Sequence, residues 1–179
     1  MITVANSARL SFALMDESDA QLLFDLDQDS EVMRFINGGK PSTWQDIEQR
    51  FLPRLRAYRN AEKGWGLWKV TINETKQYIG WVLVRPMDFF SDTPRWDDIE
   101  LGWRFKQEAW GKGFASEAAQ QIQQALARQT GAKFYSAVAD IDNLGSINIM
   151  KKIGMKYIKT EQEQTPAGEV DAVFYQMPA

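Results

Sequence analysis

Apolar and polar positions alternate with a period that changes along the chain, and the period assigns the elements. Arg9-Leu10-Ser11-Phe12-Ala13-Leu14 alternates as a half-buried strand does. Ser18-Asp19 then opens a short apolar helix through Leu22, Leu23 and Phe24. A second helix is predicted after Pro41, capped by Ser42 or Thr43, with Ile47, Phe51, Leu52 and Leu55 at helical spacing as far as Asn60. From Gly66 to Arg85 the period drops to two. Trp68, Val70 and Ile72 alternate, Asn73-Glu74-Thr75-Lys76 supplies a turn, and Tyr78 to Val84 returns as the other arm of a hairpin. Residues 86–97, with Pro86, Phe89, Phe90, Pro94 and Trp96, predict a long aromatic connection. From Asp98 to Phe105 alternation resumes, with Ile99, Leu101, Trp103 and Phe105 on one face and Glu100, Gly102 and Arg104 on the other.

The clearest helix follows, Ala115 to Gln129, where Ala115, Ala118, Ala119, Ile122 and Leu126 form one stripe that ends at Thr130-Gly131. Lys133 to Ala139 predicts a strand. Asn143 opens a helix through Ile147, Met150 and Ile153 that stops at Gly154, and 155–160 and 170–177 predict two closing strands. No repeat, low-complexity tract or linker interrupts this order, so residues 1–179 are expected to form a single α/β domain.

Composition narrows the chemistry. The chain contains no Cys and no His, which removes thiol nucleophiles, imidazole bases, disulfides and zinc sites built on those ligands. No metal is expected. Lys plus Arg total 21 against 24 for Asp plus Glu, a net charge of -3, so the counterion-release drive for nucleic-acid binding is weak. No apolar run approaches the roughly 18 residues that a bilayer span needs, and the segment Met1 to Ala8 lacks the basic start of a signal peptide. A cytoplasmic protein without membrane contact is expected.

Between the strand at Asp98 to Phe105 and the helix at Ala115 lies Trp110-Gly111-Lys112-Gly113-Phe114-Ala115. Glycines permit unusual dihedrals, the first helical N–H groups have no helical partner, and Lys112 adds charge, so the segment suits a phosphate; a plain tight turn is the other reading. It is neither Gly-x-x-x-x-Gly-Lys-Ser/Thr nor Gly-x-Gly-x-x-Gly, which disfavours nucleotide triphosphatases and dehydrogenases. It resembles the pyrophosphate loop, Gln/Arg-x-x-Gly-x-Gly/Ala, of the GNAT superfamily of acetyl-CoA-dependent N-acetyltransferases. Gly113 and Ala115 match its last two fixed positions, while Trp110 stands where Gln or Arg is usual. Downstream, Asn143-Leu-Gly-Ser146 through Lys152-Ile-Gly154-Met155 resembles the Asn-x-x-Ser…Lys-x-Gly-Phe segment of the RimJ/RimL-like branch of that superfamily.

The resemblance implies a mixed, mostly antiparallel GNAT-like sheet flanked by helices, with acetyl-CoA as cosubstrate and a primary amine as acceptor. It implies that Arg104, Phe105 and Lys106, at a splayed strand end, offer backbone hydrogen bonds to the acetyl and pantetheine groups, and that Gly111, Lys112, Gly113, Phe114 and Ala115 hold the pyrophosphate. Asn143 would bond the pantetheine arm, and Ser146 would donate to the departing sulfur. Both residue types also suit helix capping. Glu100 is the candidate base, roughly 13 Å along the strand from Arg104, where water could bridge to the amine. Its alternative is a solvated or paired carboxylate; Glu161, Glu163 and Glu169 are rival bases or solubility charges. The tryptophans could line an acceptor pocket but suit a core as well, and the acidic stretches 88–98 and 161–169 suit a cationic acceptor. A homodimer is compatible with the resemblance. An inactive acetyl-CoA-binding regulatory module, or a structural domain associating through its aromatics, are the alternatives to an enzyme.

Overall fold

A computed structural model describes residues 1–179. Seven strands form one sheet: β1 (Leu10–Leu14), β2 (Gly66–Ile72), β3 (Tyr78–Met87), β4 (Arg95–Phe105), β5 (Phe134–Asp140), β6 (Lys156–Thr165) and β7 (Gly168–Pro178). Their order is β1-β2-β3-β4-β5-β7-β6, and every pairing is antiparallel except β4 with β5. That parallel pairing spans only Asp98↔Phe134, Ile99↔Tyr135 and Glu100↔Ser136. Beyond it β4 stays paired to β3 through Phe105, and β5 stays paired to β7 through Asp140. The strands therefore diverge immediately after Glu100, not near Arg104 as the resemblance implied.

One face of the sheet packs against α5 (Phe114–Gln129) and α6 (Leu144–Lys152) around Leu101, Phe105, Ala119, Ile122, Tyr135 and Met150. The alternation along β4 sends Ile99, Leu101 and Phe105 into this core. The N-terminal helices cover part of the other face in a second cluster that includes Leu23, Leu26, Ile47, Leu55 and Trp81.

Those helices differ most from expectation. Besides α1 (Ala20–Leu26), an unforeseen α2 spans Ser30–Asn37. The Asp29 carboxylate caps its start by accepting from the Glu31 and Val32 amides, and Gly38, at φ 81°, ends it in the left-handed conformation. Thr43 and Asp46 form a capping box at the start of α3 (Trp44–Asp46), which leads through a π-helical turn, Ile47–Phe51, into α4 (Leu52–Tyr58). Pro53 explains the widened turn: it has no N–H and its ring would crowd the carbonyl of residue 49 in a regular helix.

The aromatic connection is shorter than predicted, because β3 continues to Met87 and β4 begins at Arg95. The closing strands are longer, meeting at a tight turn where Thr165 pairs with Gly168. Residues Lys156 to Gln164 of β6 are all exposed, so no core-facing alternation marked the extra residues. No helix is long and apolar enough to cross a membrane.

Candidate active site

A cavity of about 460 Å³ lies beside the part of β4 that extends beyond its last pair with β5. Its walls come from Trp103, Arg104 and Phe105 of β4, the segment from Ala109 to Ser116, the start of α6 from Asn143 to Ile149, and Glu31 to Ile36 of α2. The sequence brought the first three groups into view; α2 was missed. Its signal was nevertheless present, in the Asp29 cap and the Gly38-Gly39 stop on either side of Val32 and Met33.

Gly113 precedes α5 at φ 77°, and the first helical hydrogen bond runs from the Glu117 amide to the Gly113 carbonyl at 3.0 Å. The amides of Phe114, Ala115 and Ser116 consequently have no helical acceptor and lie at the cavity wall, with the positive end of the α5 dipole behind them. An anionic group fits there. Lys112 does not contribute its side chain: its Nζ donates to the Glu108 carbonyl at 2.8 Å, which fixes the turn, and Lys112 lies outside the wall.

The loop is braced from outside the wall by a residue about a hundred positions upstream. Arg9 donates to the Lys112 carbonyl at 2.9 Å, pairs with Glu117 at 2.7 Å and lies 4.3 Å from the Phe114 ring centre. Glu117 also accepts from Ser7 at 2.7 Å. Burial alone would raise the Glu117 carboxyl, but the hydrogen bonds from Ser7 and Arg9 outweigh it and hold the group below the usual carboxylate range. Nothing local in the sequence announced this clamp, because it depends on β1 lying beside the start of α5.

On β4, the Lys106 amide donates to Ile79 at 2.9 Å and its carbonyl accepts from Ala109 at 2.9 Å, so Lys106 is turned away from the cavity. The Arg104 carbonyl lies against Gly80 of β3. Strand alternation then points the backbone of Trp103 and Phe105 toward the gap. Trp110 Nε1 donates to the Phe105 carbonyl at 2.9 Å, leaving the Phe105 amide on that side. The Arg104 side chain instead pairs with Asp27 at 2.7 Å in a buried contact that also receives the Ser42 hydroxyl, tying β4 to the segment after α1.

Asn143 and Ser146 both reach the cavity. Asn143 caps α6, its Oδ1 accepting from the Ser146 amide at 3.2 Å. The Ser146 hydroxyl caps nothing; it accepts from Trp103 Nε1 at 3.1 Å. Capping thus describes Asn143 and not the Ser146 side chain.

Glu100 lies at the apex of the divergence, on the face opposite Ile99 and Leu101, and is not part of the cavity wall. Its Oε2 accepts from Arg85 Nε at 2.7 Å, with both side chains about four-fifths buried. Glu161 and Glu163 belong to β6 and Glu169 to β7. Although Glu163 is solvent-exposed on β6, partial desolvation by its surroundings, reinforced by the carboxylates of Glu161, Asp88 and Glu100, pushes its carboxyl up. Within the wall Glu31 is the one carboxylate, among Arg34, Arg104 and Lys152. No group of three or more His, Cys, Asp or Glu side chains is arranged to hold a metal.

The family model for an acetyltransferase (GNAT) domain matches residues 9–156. The protein YkkB of Bacillus subtilis is 29% identical over 85% of this chain and 84% of its own. The FsC-acetyl coenzyme A-N(2)-transacetylase of Aspergillus fumigatus is 25% identical over 87% of this chain and 66% of its own. The crystal structure of aminoglycoside acetyltransferase AAC(6')-Ib with coenzyme A superposes at a TM-score of 0.74, with 18% identity, over 94% of each chain. The diverging strands, the free amides beyond them and this match converge on one conclusion: the chain belongs to the GNAT family and is an acetyl-CoA-dependent N-acetyltransferase.

Proposed function

We propose that the protein moves acetyl from acetyl-CoA to a primary amine by direct transfer in a ternary complex, as a cytoplasmic member of the RimJ/RimL-like branch. The observation that carries this reading is the meeting, in one cavity, of unpaired α5 amides, the free edge of β4 and the Ser146 hydroxyl. When bound, acetyl-CoA supplies an activated acyl group whose thiolate is a competent leaving group, since a thiol ionises near 8.5. The amides of residues 111 to 116 bind its pyrophosphate, with Arg9 stiffening the loop from behind. The Phe105 amide polarises the thioester carbonyl, and Asn143 meets the pantetheine arm while capping α6. The two substrates enter from opposite sides of the divergence, which holds amine and thioester together and requires no covalent enzyme intermediate.

The amine arrives mostly as an ammonium, with a pKa of roughly 8 to 10, and must lose a proton before it attacks. Glu100 takes it through water, using the Oε1 that Arg85 leaves without a hydrogen bond. Glu163 is the alternative acceptor, favoured by its raised proton affinity. The carboxylates of Asp88, Glu100, Glu161 and Glu163 on this side suit a cationic acceptor, whether a protein N-terminus, a polyamine or a small-molecule amine. A homodimer is compatible with this arrangement.

The test follows CoA release with a thiol reagent across a panel of amines; a chain without Cys gives no protein background. Turnover with an amine is expected, and it should fall by roughly 10²-fold or more in Glu100→Gln while acetyl-CoA affinity is kept, with the deficit shrinking as pH rises. The same profile in Glu163→Gln, with Glu100→Gln unaffected, would move the proton to β6. Binding of acetyl-CoA without turnover on any amine would remove the acetyl-transfer reading.

A further inference from the structure

Ser146 Oγ has two neighbours that matter to the leaving group: the Trp103 indole N–H, at 3.1 Å, and the cavity that both residues line. A hydroxyl carries one proton and can accept through its lone pairs. With the indole N–H donating to Oγ, the hydroxyl proton must point elsewhere. The Ser146 amide cannot receive it, being itself a donor and already bonded to Asn143. Ser146 Oγ donates to no protein acceptor, neither a side chain nor a carbonyl of the preceding turn, and the residue lines the cavity, so the proton is free to serve a ligand there.

We propose that Trp103 is a positioning residue for acetyl transfer, and that the chain Trp103 N–H to Ser146 O–H forms a one-way relay aimed at the departing sulfur. Indole nitrogen donates and does not accept, so the relay cannot reverse. This distinguishes it from a pair of hydroxyls, where either could be the donor. The donated bond also polarises the Ser146 O–H and makes it a better donor to an anion. The reaction balances without acid chemistry at serine. The amine nitrogen bonds to the acetyl carbon, the C–S bond breaks with its electron pair on sulfur, the ammonium proton goes to the carboxylate side, and Ser146 keeps its proton while hydrogen-bonding the thiolate. The position is unusual in its demands. Trp103 lies on β4 beyond the last pair with β5, and its indole reaches across to Ser146 on α6, joining the strand to the helix beside the cavity.

The inference rests on the cavity being the CoA site, so the deciding measurement uses the product CoA and needs no acceptor. Binding is measured by calorimetry, and the bound thiol is titrated through the ultraviolet absorbance of its thiolate. In the wild type the bound thiol should ionise at lower pH than free CoA. Ser146→Ala should return it toward the free value, Trp103→Phe should do so in part, and Trp103→Phe in the Ser146→Ala background should add nothing. Trp103→Met, which removes the N–H but changes the shape differently, should match Trp103→Phe. With acetyl-CoA and a working amine, Trp103→Phe should lower kcat about 3- to 10-fold with little change in acetyl-CoA affinity. Independent, additive shifts from the two sites, or opposite shifts from Phe and Met, would overturn the relay and leave Trp103 a packing residue. Failure of CoA to bind any form would instead overturn the assignment of the cavity.

Discussion

Single side chains at this site carry separable burdens. Asn143 and Ser146 resemble each other as candidate caps, yet only the Asn143 side chain closes a hydrogen bond to the α6 backbone. Asn143→Ala should therefore cost about 1 kcal/mol of stability. Ser146→Ala should leave the melting temperature nearly unchanged while lowering turnover, and thermal denaturation beside CoA-release kinetics checks both. Asp27 carries a different burden, since it is 2% exposed and pairs with Arg104 while accepting from Ser42. Its removal strands a guanidinium whose Nε already lacks a partner. Asp27→Ala should cost about 3 to 5 kcal/mol in denaturant unfolding, and pairing it with Arg104→Met should recover much of that loss. Neither the pairing nor the division of labour was legible in the sequence. Residue type restricts what a group can donate or accept, whereas the partner is chosen by strands and helices far away in the chain.

At the scale of elements, α5 and the strands were readable because one apolar stripe or one alternating face meets a core, and α2 was missed because a two-turn helix buries just Val32 and Met33. The exposed strand β6 had no such face to advertise. The joint between β3 and β4 depends on a residue that no hydrophobic pattern reveals. A Cβ on Gly80 would lie 2.3 Å from the Arg104 carbonyl oxygen and 2.7 Å from the Phe105 Cα, both backbone, at a φ of 148°. Gly80→Ala should consequently lose several kcal/mol, by about the size of other severe backbone clashes, and shift β4 at the cavity, so that acetyl-CoA affinity falls with stability. At the start of α5 the Ser7, Arg9 and Glu117 clamp makes a pH prediction. The Glu117 carboxyl is held below its unfolded value, so its contribution is present above the ordinary carboxylate range and is lost as pH falls through the folded value. Glu117→Gln should lose stability at neutral pH and flatten the acid limb of a melting-temperature profile.

For the molecule as a whole, the charge arrangement across the sheet sets a prediction of opposite sign. The Glu163 carboxyl is raised in the fold, so ionising it works against stability above the ordinary carboxylate range, and the penalty disappears at low pH. Glu163→Gln should stabilise the protein at neutral pH and do nothing in acid, which a melting series across pH resolves. The overall architecture was legible from the order of elements together with the motif resemblance, but the place where the sheet parts was not, because pairing between strands is a property of neighbours and not of either sequence. That parting has a mechanical meaning. The strands β1 to β4 and the strands β5 to β7 are two leaves of a book whose spine is three residue pairs long, Asp98 to Glu100 against Phe134 to Ser136. A ligand lying along the open pages would act as a rivet between leaves whose backbones are joined over only three residue pairs. Amide hydrogens flanking the spine, on β5 as well as β4, should then exchange together and slow together when CoA binds, even at positions the ligand never touches.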